Sequence, residues 1–271
     1  MKRVYYESHN MENRIVIFHH DTLKKKPTDY LTGFNWHKNI EILSVTKGTG
    51  IILCDSEVYP VSEGDIFIIN SNQLHGLKTE DILLYDCLII DSDFLAQNEI
   101  PVTDFQFDHV IRSETVTSLY YNIVEEIESD APFRTAGIRA KVLPLMVYLL
   151  RHHAKKLPNT AKTNTTADSI KLALEFINRE YARKLTLEEI ANAAGLSKYH
   201  FAREFKRLTH TTVTSYVNII RCNHAKLLLK SQKYSVQAAA LSCGFENLSF
   251  FTKTFQSIMG YLPSELKEKG K

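Results

Sequence analysis

Over its first hundred residues the chain alternates short, β-branched apolar runs with polar punctuation. The runs are RIVIFHH, IEILSVTKG, GIILCDSEVYPV, GDIFIINS and ILLYDCLIID; GTG, SEGD, NSNQ and KTED separate them. Each run is too short for a long helix and has the wrong period, so the pattern predicts strands. Many short strands at close spacing predict an antiparallel barrel or sandwich. After Pro101 the period changes. Val116, Leu119, Tyr120, Ile123, Val124 and Ile127 fall on one helical stripe. Ile138, Val142, Leu145, Met146 and Leu149 fall on another, over roughly residues 135–154, and ESDAPFRT separates the two. Pro144 lies inside the second helix and is a candidate kink, because it has no N–H for the preceding turn. Two such helices either cover the strand-rich layer or pair with a second copy of the chain.

KKLPNTAKTNTTADS, residues 155–169, is polar, threonine-rich and without apolar period, which predicts an interdomain linker. The expected division is a domain at 1–154, a linker at 155–167 and a second domain at 168–271. From Asp168 onward the pattern is helical. Asp168 is expected to cap a helix carrying Ile170, Leu174 and Ile177. LTLEEIANAAG opens with Thr186 followed by Glu189, a capping box, and ends at Gly195. Ser197 is expected to cap the next helix. A longer helix is expected over about 212–229. Ser235 starts a short one that stops at Gly244, and Asn247 starts another that runs through Phe250, Phe251 and Phe255 to Gly260. LPSELK reads as a final turn.

Composition narrows the class. At 271 residues and 44% hydrophobic, the chain has material for two packed cores. No apolar run approaches the ~18 residues of a membrane span. The most apolar stretch, VLPLMVYLL, is short and holds Pro144. MKRVYYESHNMENR lacks the apolar region of a signal peptide, so a cytoplasmic protein with no membrane partner is expected. Cys54, Cys87, Cys222 and Cys243 are scattered without a C-x-x-C pair, which predicts free thiols. The net charge of +2 hides an asymmetry. From Asp168 to the end there are 16 Lys and Arg against 9 Asp and Glu, while residues 1–167 hold 17 against 22. The helical half is the one that would attract a polyanion.

GLSKYHFAREFKRLTH sharpens that expectation. Helix, turn at Gly195, helix over residues 186–208 is the layout of a helix-turn-helix, whose second helix enters the major groove of DNA. Phe201 and Phe205 must face inward, leaving Lys198, Tyr199, His200, Ala202, Arg203 and Lys206 as candidate contacts. Arginine reads guanine through a bidentate bond, and lysine more often takes phosphate. The layout repeats at SVQAAALSCGFENLSFFTKTFQSIMG, where FTKTFQ matches FAREFK. Asn247, Leu248, Ser249, Thr252 and Lys253 are the candidates there.

LTLEEIANAAGLSKYHFAREFK, YVNIIRCNHAKLLL and GFENLSFFTKTFQSIMGYLPSEL together resemble the tandem helix-turn-helix domain of AraC/XylS-type transcriptional regulators. The second carries the family's R-x-x-x-A-x-x-L-L pattern, and the third its G-F-x-x-x-x-x-F-x-x-x-F and G-x-x-P signature. The resemblance implies two recognition helices, residues 197–208 and 247–258, entering successive major grooves about 34 Å apart. It also implies that Arg221 is structural or touches phosphate. The chain departs from the family at His210, where glycine is usual, at Ala238 and Ala239, which replace Glu-Ile, and at the apolar Leu248.

In the first half, NWHKNIEILSVTKG and GDIFIINSNQLH are similar to the two cupin motifs, with Asn35 in place of one histidine. Asparagine is a poor zinc or iron ligand, so neither metal nor cofactor nor catalytic residue is expected. Trp36, His37, Glu41 and His75 are instead expected to line a barrel mouth and bind a small polar effector, such as a sugar stacked on Trp36. The overall expectation is an α+β multidomain chain. It comprises a cupin-like antiparallel β-barrel, two helices and an all-α tandem helix-turn-helix domain. Its order resembles the sugar-sensing AraC regulators, which implies a homodimer on promoter DNA, with RNA polymerase a further candidate partner. Two alternatives stay open: a metal-dependent cupin enzyme with a helical appendage, and a regulator whose barrel only dimerises.

Overall fold

The computed structural model describes residues 11, 14–25, 32–157 and 166–268. Nearly all of the N-terminal stretch MKRVYYESHNMENR, and residues 158–165 of the expected linker, lie outside them. In chain order the elements are β1 (Val16–Lys24), β2 (Thr32–Asn35), β3 (Ile40–Cys54), β4 (Glu57–Ser62), β5 (Ile66–Ile69), β6 (His75–Lys78) and β7 (Ile82–Ile90). Then come α1 (Ser92–Gln97), β8 (Phe105–Phe107), β9 (Val110–Ile111), α2 (Glu114–Glu128), α3 (Arg134–His152) and β10 (Ala154–Lys156). Helices follow: α4 (Thr166–Glu180), α5 (Leu187–Ala193), α6 (Lys198–Thr209), α7 (Val213–Lys230), α8 (Val236–Ser242), α9 (Leu248–Met259) and α10 (Glu265–Glu268). The chain forms two compact units, one comprising β1 and Trp36 through β10, the other comprising α4 onward together with the segment that holds β2.

The first unit is an antiparallel sheet in the order β1-β7-β3-β5-β9, and β4 and β6 also pair with β3. Among the described residues this order does not close into a ring. One strand joins its parts. The first half of β3 pairs with β5 and β7, and its second half with β4 and β6. The GTG segment, expected to break two strands, lies inside β3. There the register with β7 shifts between Val45 and Lys47, and Gly48 takes φ +87°. A bulge with a left-handed glycine bends a strand without ending it, which is why turn-like residues sit mid-strand here.

Both faces of this sheet are buried, and this explains runs such as IFII that do not alternate with polar residues. Ile40, Ile42, Ile66, Ile68, Leu88 and Ile90 pack against the helices, meeting Val116, Tyr120, Ile123, Val142, Leu145 and Leu149. The alternate residues Leu43, Phe67, Ile69, Cys87 and Ile89 face the other way, with Ile52, Val61, Leu77 and Leu83. The period of two splits each run between two cores. The inward stripes of α2 and α3 thus cover the sheet. Ser113 caps α2 by accepting from Val116 N, and Pro144 lies inside α3.

From α4 onward the second unit is all helix among the described residues. Asp168, expected as the cap, instead lies in the first turn of α4, which already begins at Thr166. The capping box at Thr186 and Glu189 is present in both directions. Thr212, Ser235 and Asn247 each cap their helix through a side-chain oxygen, whereas Ser197 holds the cap position of α6 without such a bond. Around α7, the first helix-turn-helix buries Ile170, Leu174, Ile190, Phe201, Phe205 and Tyr216. The second buries Ala239, Ala240, Phe245, Phe251 and Phe255, and its alanines leave room for the phenylalanine cluster. All four cysteines are buried thiols. Burial raises the Cys222 thiol well above its usual range and Cys243 to about 12, which makes both poor nucleophiles.

Two outcomes are expected. A Cβ on Gly48 would stand 2.1 Å from the Ile82 carbonyl oxygen in a left-handed conformation. Gly48→Ala should therefore destabilise the strand-rich unit by about 2–4 kcal/mol, measured by denaturant unfolding. Hydrogen bonds from the Thr186 backbone and hydroxyl, then from Arg183, hold the Glu189 carboxyl down to about 2 from its ordinary value. A depressed carboxyl pKa adds stability above about pH 4.5 that is lost as pH falls toward about 2. Glu189→Gln should flatten that acid limb in thermal melts of the helical unit.

Candidate functional site

α6 puts Phe201, Phe205 and Leu208 in the core. Its other side presents Lys198, Tyr199, Arg203 and Lys206 to solvent, Tyr199 at 86% exposure, with His200 and Ala202 partly exposed. Arg203 is positioned along the helix. Its Nε donates to Glu204 Oε1 at 3.1 Å, and its Nη2 to His200 Nδ1 at 3.0 Å. Arg207, absent from the expected contact set, donates to the other Glu204 oxygen at 2.8 Å. Arg207, with Arg203, holds the buried Glu204 carboxyl below its ordinary value. The i, i+3 spacing of Glu204 and Arg207 was the available signal for this pairing. A groove of about 420 Å³ beside α6 is lined by Lys184, Ala202, Lys206, Thr214, Asn218 and Arg221.

α9 presents a different surface. Leu248, Ser249 and Lys253 are exposed, and Thr252 partly so. Asn247 is exposed, but its Oδ1 accepts from Phe250 N at 2.8 Å as the helix cap. The Thr252 hydroxyl donates to the Leu248 carbonyl at 2.9 Å. Phe250 is 53% exposed, so apolar and hydroxyl groups dominate where α6 is basic.

The end of α4 ties the two motifs together. Arg221 on α7 donates from Nε to the Tyr181 carbonyl and from Nη2 to the Arg183 carbonyl, both at 2.8 Å. Its guanidinium also lies 5.7 Å from the Phe245 ring centre. His224 stacks on Tyr181 at 4.0 Å. Gly244, at φ +82°, passes so close that a Cβ would lie 2.6 Å from the Ala182 carbonyl oxygen. Bonded to two backbone carbonyls and half buried, Arg221 acts as a structural clamp.

His210 has a local explanation. It ends α6 at φ +52°, the conformation that Gly260 takes at φ +82° after α9. The buried Thr209 hydroxyl compensates, donating to the Phe205 carbonyl at 2.7 Å and accepting from Thr211 N at 3.4 Å. It thereby ties the turn after His210 back to the last turn of the helix.

In the first unit, Trp36, His37, Glu41 and His75 are all buried, at 4%, 1%, 4% and 2% exposure. Glu41 shares the inner face of β3 with Leu43, and His75 shares that of β6 with Leu77. His37 Nε2 lies 2.9 Å from Glu41 Oε2, and His75 Nε2 lies 3.6 Å from the same oxygen. The two rings meet edge to face with centroids 5.1 Å apart. Their Nδ1 atoms donate to the carbonyls of Asn39 and Gln73, each at 2.9 Å. The Cys87 thiol, missed in the sequence because it lies on distant β7, donates to Glu41 Oε1 at 3.0 Å. His37, Glu41 and His75 bring three metal-ligand atoms within 4.8 Å of one another. A separate polar opening of about 550 Å³ is lined by residues including Tyr59, Gln73, Gln106, His109 and Lys155.

A strand-rich unit joined in one chain to tandem helix-turn-helix motifs is the layout of a two-domain DNA-binding regulator. Comparison with known proteins agrees. The AraC-like ligand binding domain family matches residues 19–146, and a helix-turn-helix domain family matches residues 190–269. The chain belongs to the AraC family of DNA-binding transcription regulators. It is 26% identical over 248 residues to the uncharacterized HTH-type transcriptional regulator YdeC of Bacillus subtilis (strain 168), covering 86% of this chain and 85% of YdeC. It is 22% identical over 239 residues to the HTH-type transcriptional activator RhaR of Mannheimia succiniciproducens, covering 86% of each. These are regulators, not enzymes. In fold, the chain is similar to an apo variant of ToxT from Vibrio cholerae, with TM-score 0.50 and 12% identity over 97% of this chain and 98% of that one. Among the described residues, no helix is long and apolar enough to cross a membrane.

Replacing His210 by glycine should relieve the left-handed strain and raise stability by about 0.5–1 kcal/mol, read as a higher melting temperature of the helical unit.

Proposed function

We propose that α6 and α9 are the two reading helices of this regulator, α6 supplying base readout through Arg203 and backbone anchoring through Lys198 and Lys206. One observation carries this reading. The exposed face of α6 is basic and aromatic, and its arginine is already held by Glu204 and His200. Preorganisation lowers the ordering cost of a bidentate guanine contact. Lys253, Ser249, Thr252 and Leu248 on α9 form the second head, suited to phosphate and to a thymine methyl. The protein acts as a homodimer on promoter DNA, activating as RhaR does by name, and RNA polymerase is then a natural partner.

The ligand response belongs to the AraC-like unit. A small polar effector such as a sugar, placed against Trp36, His37, Glu41 and His75, requires the strands around them to part, because all four are at most 4% exposed. Ligand and DNA affinities must then be linked by the same factor in both directions.

The test is selection of bound duplexes from a random pool, followed by titration of the winner and a scrambled control. Arg203→Ala is expected to cost about 1–3 kcal/mol on the selected duplex and little on the control. Lys206→Ala is expected to weaken both and to lower the salt slope by about 1. Equal loss on both duplexes for Arg203→Ala would rule out base reading by that residue. A monomer at micromolar concentration in sedimentation, with and without duplex, would rule out the dimer.

A further inference from the structure

We propose that His20 is a proton-operated latch in the strand-rich unit: as an imidazolium it ties the edge strand β1 to the end of α2, and once it loses a proton that helix end comes free. The latch is separate from the buried cluster and from the reading helices, and it does not rest on the function proposed above. Three observations lead to it.

The first is the number of hydrogens the ring must carry. His20 stands directly opposite Asp86 in the pairing of β1 with β7. Its Nδ1 lies 2.6 Å from Asp86 Oδ1, and its Nε2 lies 3.1 Å from Glu128 Oε1. A carboxylate oxygen only accepts, so each contact needs a hydrogen on the ring. A neutral imidazole has one such hydrogen and the imidazolium has two. The arrangement is therefore that of the charged ring, and losing a proton leaves a lone pair facing one of the two carboxylates.

The second is where Glu128 sits. The last turn of α2 holds Glu125, Glu126 and Glu128 and no basic residue. The C-terminal end of a helix carries partial negative charge and is stabilised by a cation. Lys141 of α3 pairs with Glu126 at 2.9 Å, and His20 is the cation that meets Glu128.

The third is the contrast between the two partners. The Asp86 side chain is 10% exposed, whereas those of His20 and Glu128 are 65% and 54% exposed. The Phe18 ring, edge-on to the imidazole at 5.0 Å, helps hold it. The shorter bond to the buried Asp86 keeps the remaining hydrogen, and Glu128, which water solvates readily, is the partner released. The neighbouring ionisable groups are otherwise engaged. His19 and Asp21 pair with each other on the opposite face of β1, and the Tyr121 hydroxyl bonds that of Ser44. Burial keeps Tyr120 neutral. Hydrogen bonds to Asp86 and then to Glu128 raise the His20 pKa above its ordinary value. A raised value adds stability that is complete below the ordinary value and lost as pH rises through the raised one, so the latch opens on the alkaline side.

The test is a side-chain NMR titration of the histidines in the full chain, without DNA, run alongside hydrogen exchange of the peptide spanning residues 121–133. The His20 ring, assigned through its coupling to the backbone, is expected to titrate above the ordinary imidazole value of about 6.5. Glu128→Gln is expected to lower that midpoint. Corrected for the intrinsic rise of exchange with pH, protection of the helix end is expected to fall at least about threefold across the same midpoint. His20→Gln is expected to show the low protection at every pH. A midpoint at or below the ordinary value, a midpoint that Glu128→Gln leaves in place, or wild-type protection that does not follow the His20 midpoint would overturn the latch. The wild-type titration and exchange need no folded variant, and failure of either leaves the reading-head assignment standing.

Discussion

One guanidinium links the parts of the helical unit. Arg221 bonds the Tyr181 and Arg183 carbonyls and thereby fixes α7, the connecting helix, against the end of α4. Charge-assisted bonds to backbone carbonyls are strong and directional. Gly244 then lets the second motif approach the same turn, and Phe245 lies beneath the guanidinium. Without that anchor, the two motifs would be joined by α7 alone. A side chain bonded to main-chain carbonyls helps fix the separation of the two motifs irrespective of their surface side chains. Burial lowers the pKa of Arg221, yet an arginine stays charged at any physiological pH, so the clamp is insensitive to acid and base.

The helical unit was legible because its signals are local. Thr186, Thr212, Ser235 and Asn247 sit within three residues of the backbone groups they cap, and the aromatic pairs Phe201 with Phe205 and Phe251 with Phe255 lie one turn apart. The sheet was legible as strands but not as connectivity. GTG reads as a break because glycine and threonine suit turns, yet pairing of Gly48 with Leu83, and of Thr49 and Gly50 with Ser62 and Val61, turns it into a bend within one strand. Strands such as β8, β9 and β10 are two or three residues long and carry no period. They exist because partners far along the chain supply the hydrogen bonds.

The buried cluster divides the same way. His37, Glu41 and His75 could be picked out one by one, but their closeness depends on the register that sets Cys54 opposite His75. Local sequence does not encode that register, nor the depth that excludes solvent from all three. Cys87 was invisible for the same reason. It reaches Glu41 only because Leu43 and Cys87 are cross-strand neighbours. The strand pairing thus brings two imidazoles, a carboxylate and a thiol from separate segments onto one inner face.

The two helix-turn-helix motifs repeat in backbone but not in surface chemistry. α6 is charged and carries an arginine braced by Glu204, while α9 shows Leu248, Phe250 and a cap-engaged Asn247. On the proposed reading by both helices, the two halves of the target would differ in chemistry, one half suited to a charged face and the other to an apolar and hydroxyl one.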